Sequence, residues 1–257
     1  AARAADGRPV MCLAEGREGG VLFRVISDGP ATEPHALDQG ALYAARFEAG
    51  GLRWIALPAD ADPYGAAVAR GANSFGRPVA LALDPNGARL CLALRESGRN
   101  PAGAVVEMLF SARDPAADTA IVESLIEGRL PPRPRAGREP ATVPAWPVAP
   151  TSICLDSQGN LLLGTAQSAR DSALPDALYV LPVEGPARGQ PSLAYAVPIG
   201  AALGGVATVP GAAAWVAGVA HPGAGMGAQF ATPRSRWPHF RDGEPPRGGV
   251  VALSRSG

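Results

Sequence analysis

Three times along the chain an apolar run of strand length enters a tight turn and leaves it as a second apolar run. These are ALALDPNGARLCLAL from Ala80 to Leu94, SICLDSQGNLLLGTA from Ser152 to Ala166, and GVATVPGAAAWVAGVA from Gly205 to Ala220. Runs this short cannot sustain three helical turns, and each is bounded by Gly, Pro, Asn or Asp, which reads as strand followed by turn. The Asp84-Pro85-Asn86-Gly87 and Asp156-Ser157-Gln158-Gly159 turns put glycine where the backbone needs a positive φ, so the hairpins close without a steric penalty. The 32 glycines and 27 prolines among 257 residues fall between apolar runs with no period of three, which makes them turn punctuation and excludes a collagen-like chain.

The same reading predicts a first group of strands at Val10–Leu13, Val21–Ser27, Ala41–Phe47 and Arg53–Leu57, then a loop holding one short helix, Tyr64–Arg70. A second group covers Pro78–Leu83, Arg89–Leu94, Ala104–Phe110 and Thr119–Ile126. A Pro/Arg-rich loop from Leu130 to Pro150 separates it from a third group at Ser152–Leu155, Leu161–Thr165, Ala177–Pro182 and Ser192–Val197. A fourth group has Gly205–Val209 and Ala213–Val219, and Gly249–Ser254 closes the chain. Groups of about four strands opening with a hairpin are the pattern of propeller blades, so the expected fold class is all-β, a β-propeller with three to four blades in this chain. Residues 1–257 are read as a single propeller region. The repeats are spaced more widely than the ~40 to 45 residues of a compact blade because long loops are inserted. An immunoglobulin-like sandwich is the competing architecture, and the repeated hairpin argues against it.

The formal charge is zero and all 23 basic residues are Arg, which leaves no lysine-rich patch for nucleic acid or anionic membrane surfaces. The dense basic stretch from Arg129 to Arg138 is interleaved with Pro131, Pro132 and Pro134 and reads as a solvated loop. Cys12, Cys91 and Cys154 each lie in an apolar run without CxxC or metal-ligand spacing, which points to buried free thiols. No apolar stretch reaches the roughly 20 residues of a transmembrane helix; the nearest, Ala201 to Ala220, is broken by Gly204, Gly205, Pro210 and Gly211. The start at Ala1-Ala2-Arg3, without Met or signal peptide, is read as a processed or trimmed piece of something longer. Gly223-Ala224-Gly225-Met226-Gly227 is not a dinucleotide loop, since Pro233 and Pro238 forbid the long helix that must follow it, and no Gly-X-Ser-X-Gly elbow occurs. The four tryptophans, Trp54, Trp146, Trp215 and Trp237, are read as packing residues between blades.

LDQGALYAARF at Leu37 to Phe47, followed by RWIALP at Arg53 to Pro58, resembles a stretch of the PhoX-type alkaline phosphatases. Gly76-Arg77-Pro78, Arg99-Asn100-Pro101-Ala102-Gly103, Asp156 to Thr165, Ala177 to Gln190, Val219 to Gly225 and Ser235 to Phe240 resemble further segments of that family in the same order. The resemblance implies an exported six-bladed propeller phosphatase with iron and calcium in a central channel, of which this chain would be a partial member lacking the upstream blades. It also implies what is missing. The family's Arg-Pro-Glu carboxylate stands here as Val79, and other ligand positions stand as Thr151, Ala166 and Ala202. Calcium takes six to eight oxygen ligands and iron(III) needs anionic donors, so no multi-metal site is expected and no cofactor with it. Glu15 and Glu18, near the family's acidic stretch, are the remaining metal-ligand candidates, Arg77 is the anion-binding candidate, and His221 is a channel-loop candidate; no catalytic residue is assigned.

The resulting expectation is a catalytically degenerate PhoX-like propeller outside the cytoplasm, serving as a binding or scaffold subunit. Another protein chain or a missing upstream segment would complete the ring, with no nucleic-acid partner. The alternative is a metal-dependent phosphomonoester hydrolase completed by upstream residues, with iron and calcium as its ions. A lactonase or sensor using the emptied channel is a third reading.

Overall fold

The computed structural model describes residues 1–32, 35–49, 51–84, 86–98, 100–130, 146–169, 174–225 and 227–254. Arg99, and Arg133, Arg135 and Arg138 of the basic stretch, lie outside them. The chain divides into two compact units, residues 1–100 with 105–125, and residues 101–104 with 126–257.

The first unit carries β1 (Ala2–Arg3), β2 (Pro9–Ala14), β3 (Leu22–Ser27), β4 (Gly40–Glu48), β5 (Gly51–Ala56), α1 (Pro63–Ala69), β6 (Pro78–Leu83), β7 (Arg89–Leu94), β8 (Ala104–Phe110) and β9 (Thr119–Glu127). The strands form one sheet in the order β1-β2-β3-β4-β5-β9-β8-β7-β6. The first two expected groups are thus joined, because β5 pairs antiparallel with β9 through Leu52↔Ala120 and Arg53↔Thr119. Helix α1 starts and ends one residue earlier than the expected Tyr64–Arg70: Asp62 Oδ2 accepts from Gly65 N at 2.6 Å and Pro63 occupies the first turn, where its missing N–H costs nothing. Gly87 takes φ +71° in the β6–β7 turn and donates its N–H to Asp84 O at 2.8 Å, as the hairpin reading requires.

The apolar residues of these strands converge on a core of Leu22, Leu52, Trp54, Leu90, Leu92 and Met108 with their smaller neighbours. Two charged features lie inside the unit. Arg24 is fully buried in β3, opposite Cys12 of β2. Its guanidinium lies 4.9 Å from the Tyr43 ring centre and 4.6 Å from that of Trp54, and Nη1 donates to Pro115 O (2.9 Å) and Ala117 O (2.6 Å). Arg89 of β7 pairs with the buried Glu107 of β8, Nε to Oε1, at 2.5 Å.

The second unit carries β10 (Pro150–Leu155), β11 (Asn160–Thr165), β12 (Ala177–Pro182) and β13 (Ser192–Ala196) in one antiparallel sheet. A further sheet holds β14 (Ala202–Thr208), β15 (Ala214–Ala220) and β16 (Gly249–Ser254). Leu162, Leu178, Val197, Leu203, Ala217 and Val219 form its core, with Trp215 and Trp237 packed at the side. Gly159 (φ +76°) and Gly211 (φ +75°) close the two hairpins. Strand β14 begins at Ala202, earlier than the expected Gly205, because a register shift between Leu203 and Val206 accommodates Gly204 and Gly205 within the ladder. Asp176 is buried and ties the unit together: Oδ1 accepts from Ser168 N at 2.9 Å and Oδ2 from Leu203 N at 3.1 Å.

The expected all-β propeller architecture holds, its described strands forming a nine-stranded, a four-stranded and a three-stranded sheet, with the first two expected groups merged into the nine-stranded one. All three cysteines are free thiols, as expected, but only Cys91 is buried; Cys12 and Cys154 are half-buried.

Burial sets an alkaline limit on stability. It pushes the Cys12 thiol from 9.0 up to about 12 and the Tyr179 hydroxyl from 10.0 up to about 12, and it brings Arg24 down from 12.5 to about 10. Above pH ~9 the unfolded chain has released the Cys12 proton that the folded chain still holds, so stability falls as pH rises toward 12; Tyr179 adds a like loss above pH ~10. Arg24 acts with the opposite sign from pH ~10, where the folded chain sheds a proton that the unfolded one keeps. Between about pH 9 and 10 Cys12 dominates. Urea midpoints across that interval are expected to decline for the parent and to stay level for Cys12→Ala; an equal decline in both contradicts the assignment.

Candidate functional site

Two loops of the first unit bring most of the sequence candidates together. After β2 the chain turns through residues 15–20: Glu15 N donates to Val21 O at 3.1 Å, and Gly20 N donates to Arg17 O at 3.0 Å. A Cβ at Gly20 would stand 2.1 Å from Glu15 O, so only glycine fits this turn. The loop docks on the segment before β6: Gly19 N donates to Phe75 O (3.1 Å) and Gly76 O (2.9 Å), Phe75 N donates to Gly20 O (2.9 Å), and Val21 bridges Ser74. Glu15, Glu18 and Arg77, far apart in sequence, therefore sit on adjoining loops.

Their side chains differ in availability. Glu15 is engaged locally, Oε2 accepting from Val21 N at 3.1 Å and Oε1 lying 3.3 Å from Arg17 Nη2. Arg17, which the sequence did not single out, stacks its guanidinium 3.9 Å from the Tyr64 ring centre and so ties the loop to α1. Glu18 is exposed. Arg77 is exposed and makes no ion pair among the described residues, while its backbone oxygen accepts from Arg95 N at 2.8 Å. A guanidinium so placed can receive an oxyanion through charge-assisted hydrogen bonds. Ser97 packs against the preceding Gly76, with Oγ 2.6 Å from where a Cβ on that glycine would be.

The positions where the resemblance expects ligands lie at strand ends. Val79 is in β6, Thr151 in β10, Ala202 opens β14, and Ala166 follows β11. All four are partly buried. Thr151 Oγ1 donates to Gly164 O at 3.3 Å, and Ala166 N donates to Ala149 O at 2.9 Å. Among the described residues no three of His, Cys, Asp and Glu stand close enough to share an ion. A donor set of that kind does not suit calcium or iron(III), each of which needs several anionic oxygens at once.

His221 belongs to the second unit. It follows β15 with φ +49°, a conformation uncommon for any residue but glycine, and lines an open recess of about 530 Å³ with Pro222, Gln229, Phe230, Pro233 and Pro246. It is exposed, and among the described lining residues it is the titratable one.

No protein-family model matches the chain, and no curated protein sequence does. Among solved structures the chain is similar to Pseudomonas fluorescens PhoX in complex with vanadate, a transition state analogue, with a TM-score of 0.76 and 21% sequence identity over 99% of this chain and 52% of that one. It is less similar to the periplasmic gluconolactonase PpgL of Pseudomonas aeruginosa, at 12% identity and TM-score 0.41 over 72% of this chain and 47% of that one. It also resembles the gluconolactonase XC5397 of Xanthomonas campestris, at 13% identity and TM-score 0.35 over 84% of this chain and 66% of that one. The class these findings define is an all-β protein of propeller type. More particularly, its fold is PhoX-like, and the chain spans about half the length of PhoX. No helix among the described residues is long and apolar enough to cross a membrane.

Proposed function

We propose that this chain is a catalytically degenerate PhoX-like propeller that serves as a binding or scaffold subunit of an assembly outside the cytoplasm. The observation that carries this reading is the chemistry at four positions. Where the resemblance expects carboxylates, Val79, Ala166 and Ala202 offer no donor side chain, and the one hydroxyl, on Thr151, is a neutral oxygen that donates its proton to Gly164 O and brings no anionic charge. Fold likeness to a phosphatase does not by itself confer phosphatase chemistry, which resides in the site. Arg77 and its adjoining loop would give such a subunit a weak anion contact rather than a reaction centre. The PhoX resemblance supports the extracytoplasmic setting.

In this reading another protein chain, or further residues of the same protein, completes the propeller. The last sheet supports it: β14–β16 has three strands where β10–β13 has four, and β16 is an edge carrying Val250 at 73% exposure and no charge. Uncharged, exposed edges are ready templates for strand pairing.

Calcium and iron, alone or together, are expected to leave the thermal midpoint unmoved, whereas an ion present at a hundred times its Kd would add about 2.7 kcal/mol of stability. Val79→Glu combined with Ala202→Glu is expected to release no phosphate from a phosphomonoester, because an ion cluster needs all of its ligands and their supporting contacts. A metal-dependent rise in midpoint accompanied by turnover of the unmodified chain would support the rival reading, a phosphomonoester hydrolase.

A further inference from the structure

Between the tips of the β10–β11 and β14–β15 hairpins, wholly within the second unit, lies a cleft of about 400 Å³ that the candidate site does not use. Its walls are Asp156, Ser157 and Gln158 from one turn, Thr208 to Ala214 from the other, and Trp215. Pockets of this size, part apolar and part polar, are where small molecules are held.

The chemistry of the walls is selective. Asp156 is engaged in its own turn: Oδ1 accepts from Gln158 N at 2.9 Å and Asn160 N at 2.8 Å, and Oδ2 accepts from Asn160 Nδ2 at 3.0 Å. No Arg or His lines the cleft, so nothing there would compensate a phosphate or carboxylate. Trp215 lies opposite Thr208 in the β14–β15 ladder and packs against the core, and its remaining exposed surface lines the cleft. Gly211, Ala212, Ala213 and Ala214 are small enough to leave the space beside the indole open. Three of the lining residues, Ser157, Thr208 and Trp215, carry side-chain polar groups that make no hydrogen bond among the described residues.

We propose that the cleft between these hairpin tips is a binding site for a neutral carbohydrate ring. The C–H face of a sugar ring meets the indole of Trp215, and its hydroxyls, each both donor and acceptor, meet Ser157, Thr208 and the indole N–H. A purely aromatic ligand would cover the indole and leave those three groups without partners, which is costly once water is excluded. An anion would find no cation.

Isothermal titration calorimetry, with tryptophan fluorescence in parallel, uses glucose, galactose, N-acetylglucosamine and maltose as probes and inorganic phosphate and indole as contrasts. Saturable binding of at least one sugar is expected, with none of phosphate. Ser157→Ala, on an exposed turn, and the near-isosteric Thr208→Val are each expected to weaken sugar binding about two- to tenfold, the worth of one hydrogen bond. Trp215→Ala is expected to weaken it about tenfold or more. Because that last change also touches the core, the first two variants decide the case if it does not fold. Failure of every sugar to saturate, sugar binding unchanged in both hydroxyl variants, or tighter binding of indole than of any sugar overturns the assignment. None of these outcomes depends on whether the chain is a phosphatase.

Discussion

Arg24→Ala is expected to cost about 3 to 5 kcal/mol of stability. Two losses add. The carbonyls of Pro115 and Ala117, each held by Nη1 within 2.9 Å, lose their buried donor. The slot between the Tyr43 and Trp54 rings, which the guanidinium fills, becomes a cavity in a core that cannot fully collapse. Arg24→Met separates these terms, because it refills the slot without the charge. Burial already holds Arg24 down at about 10, and Nε and Nη2 meet no acceptor among the described residues, so the charge itself is poorly compensated. The methionine variant is accordingly expected to lose less than half as much as the alanine variant in urea unfolding. Equal losses would show that the two carbonyl hydrogen bonds, and not the packing, hold the loop.

Asp176→Ala is expected to cost about 2 to 5 kcal/mol, read from the unfolding midpoint of the second unit. Its two oxygens satisfy the N–H groups of Ser168 and Leu203, which lie on either side of it in sequence, so the carboxylate links the segment after β11 to the start of β14. Asp176→Asn keeps one acceptor oxygen and is expected to fall between parent and alanine. A loss below ~1 kcal/mol for Asp176→Ala would mean that β14 is held by its core residues Leu203, Ala217 and Val219 alone.

Local pattern carried most of the strand reading. Pro78–Leu83, Arg89–Leu94, Ala104–Phe110, Ala177–Pro182 and Gly249–Ser254 have the bounds expected from their apolar runs and flanking turn residues. The positive φ of Gly87 and Gly159 followed from hairpin chemistry alone. What depends on distant partners was not legible. The β5–β9 ladder joins Leu52 to Ala120 across a long stretch of chain, and nothing in either segment specifies the other. Arg24 sits in Leu-Phe-Arg-Val-Ile-Ser, which carries no sign of a buried charge; the aromatic pair from β4 and β5 and the carbonyls of Pro115 and Ala117, all distant in sequence, make its burial tolerable.

The candidate site was legible in part. Resemblance pointed to Glu15, Glu18 and Arg77, and the structure places them on adjoining loops through backbone hydrogen bonds that carry no side-chain signature. The engagement of Glu15 with Val21 N depends on that turn and could not be read from an isolated acidic residue. Trp215 was read as packing, and it does pack; its second role, at the cleft rim, depends on the tip of another hairpin.

The most direct test of the central claim, a PhoX-like fold without the phosphatase centre, is the iron and calcium content of the purified protein, measured together with phosphomonoester turnover on the same sample. Far less than one ion per chain and no turnover are expected. One or more ions per chain with turnover that disappears on chelation would contradict the claim.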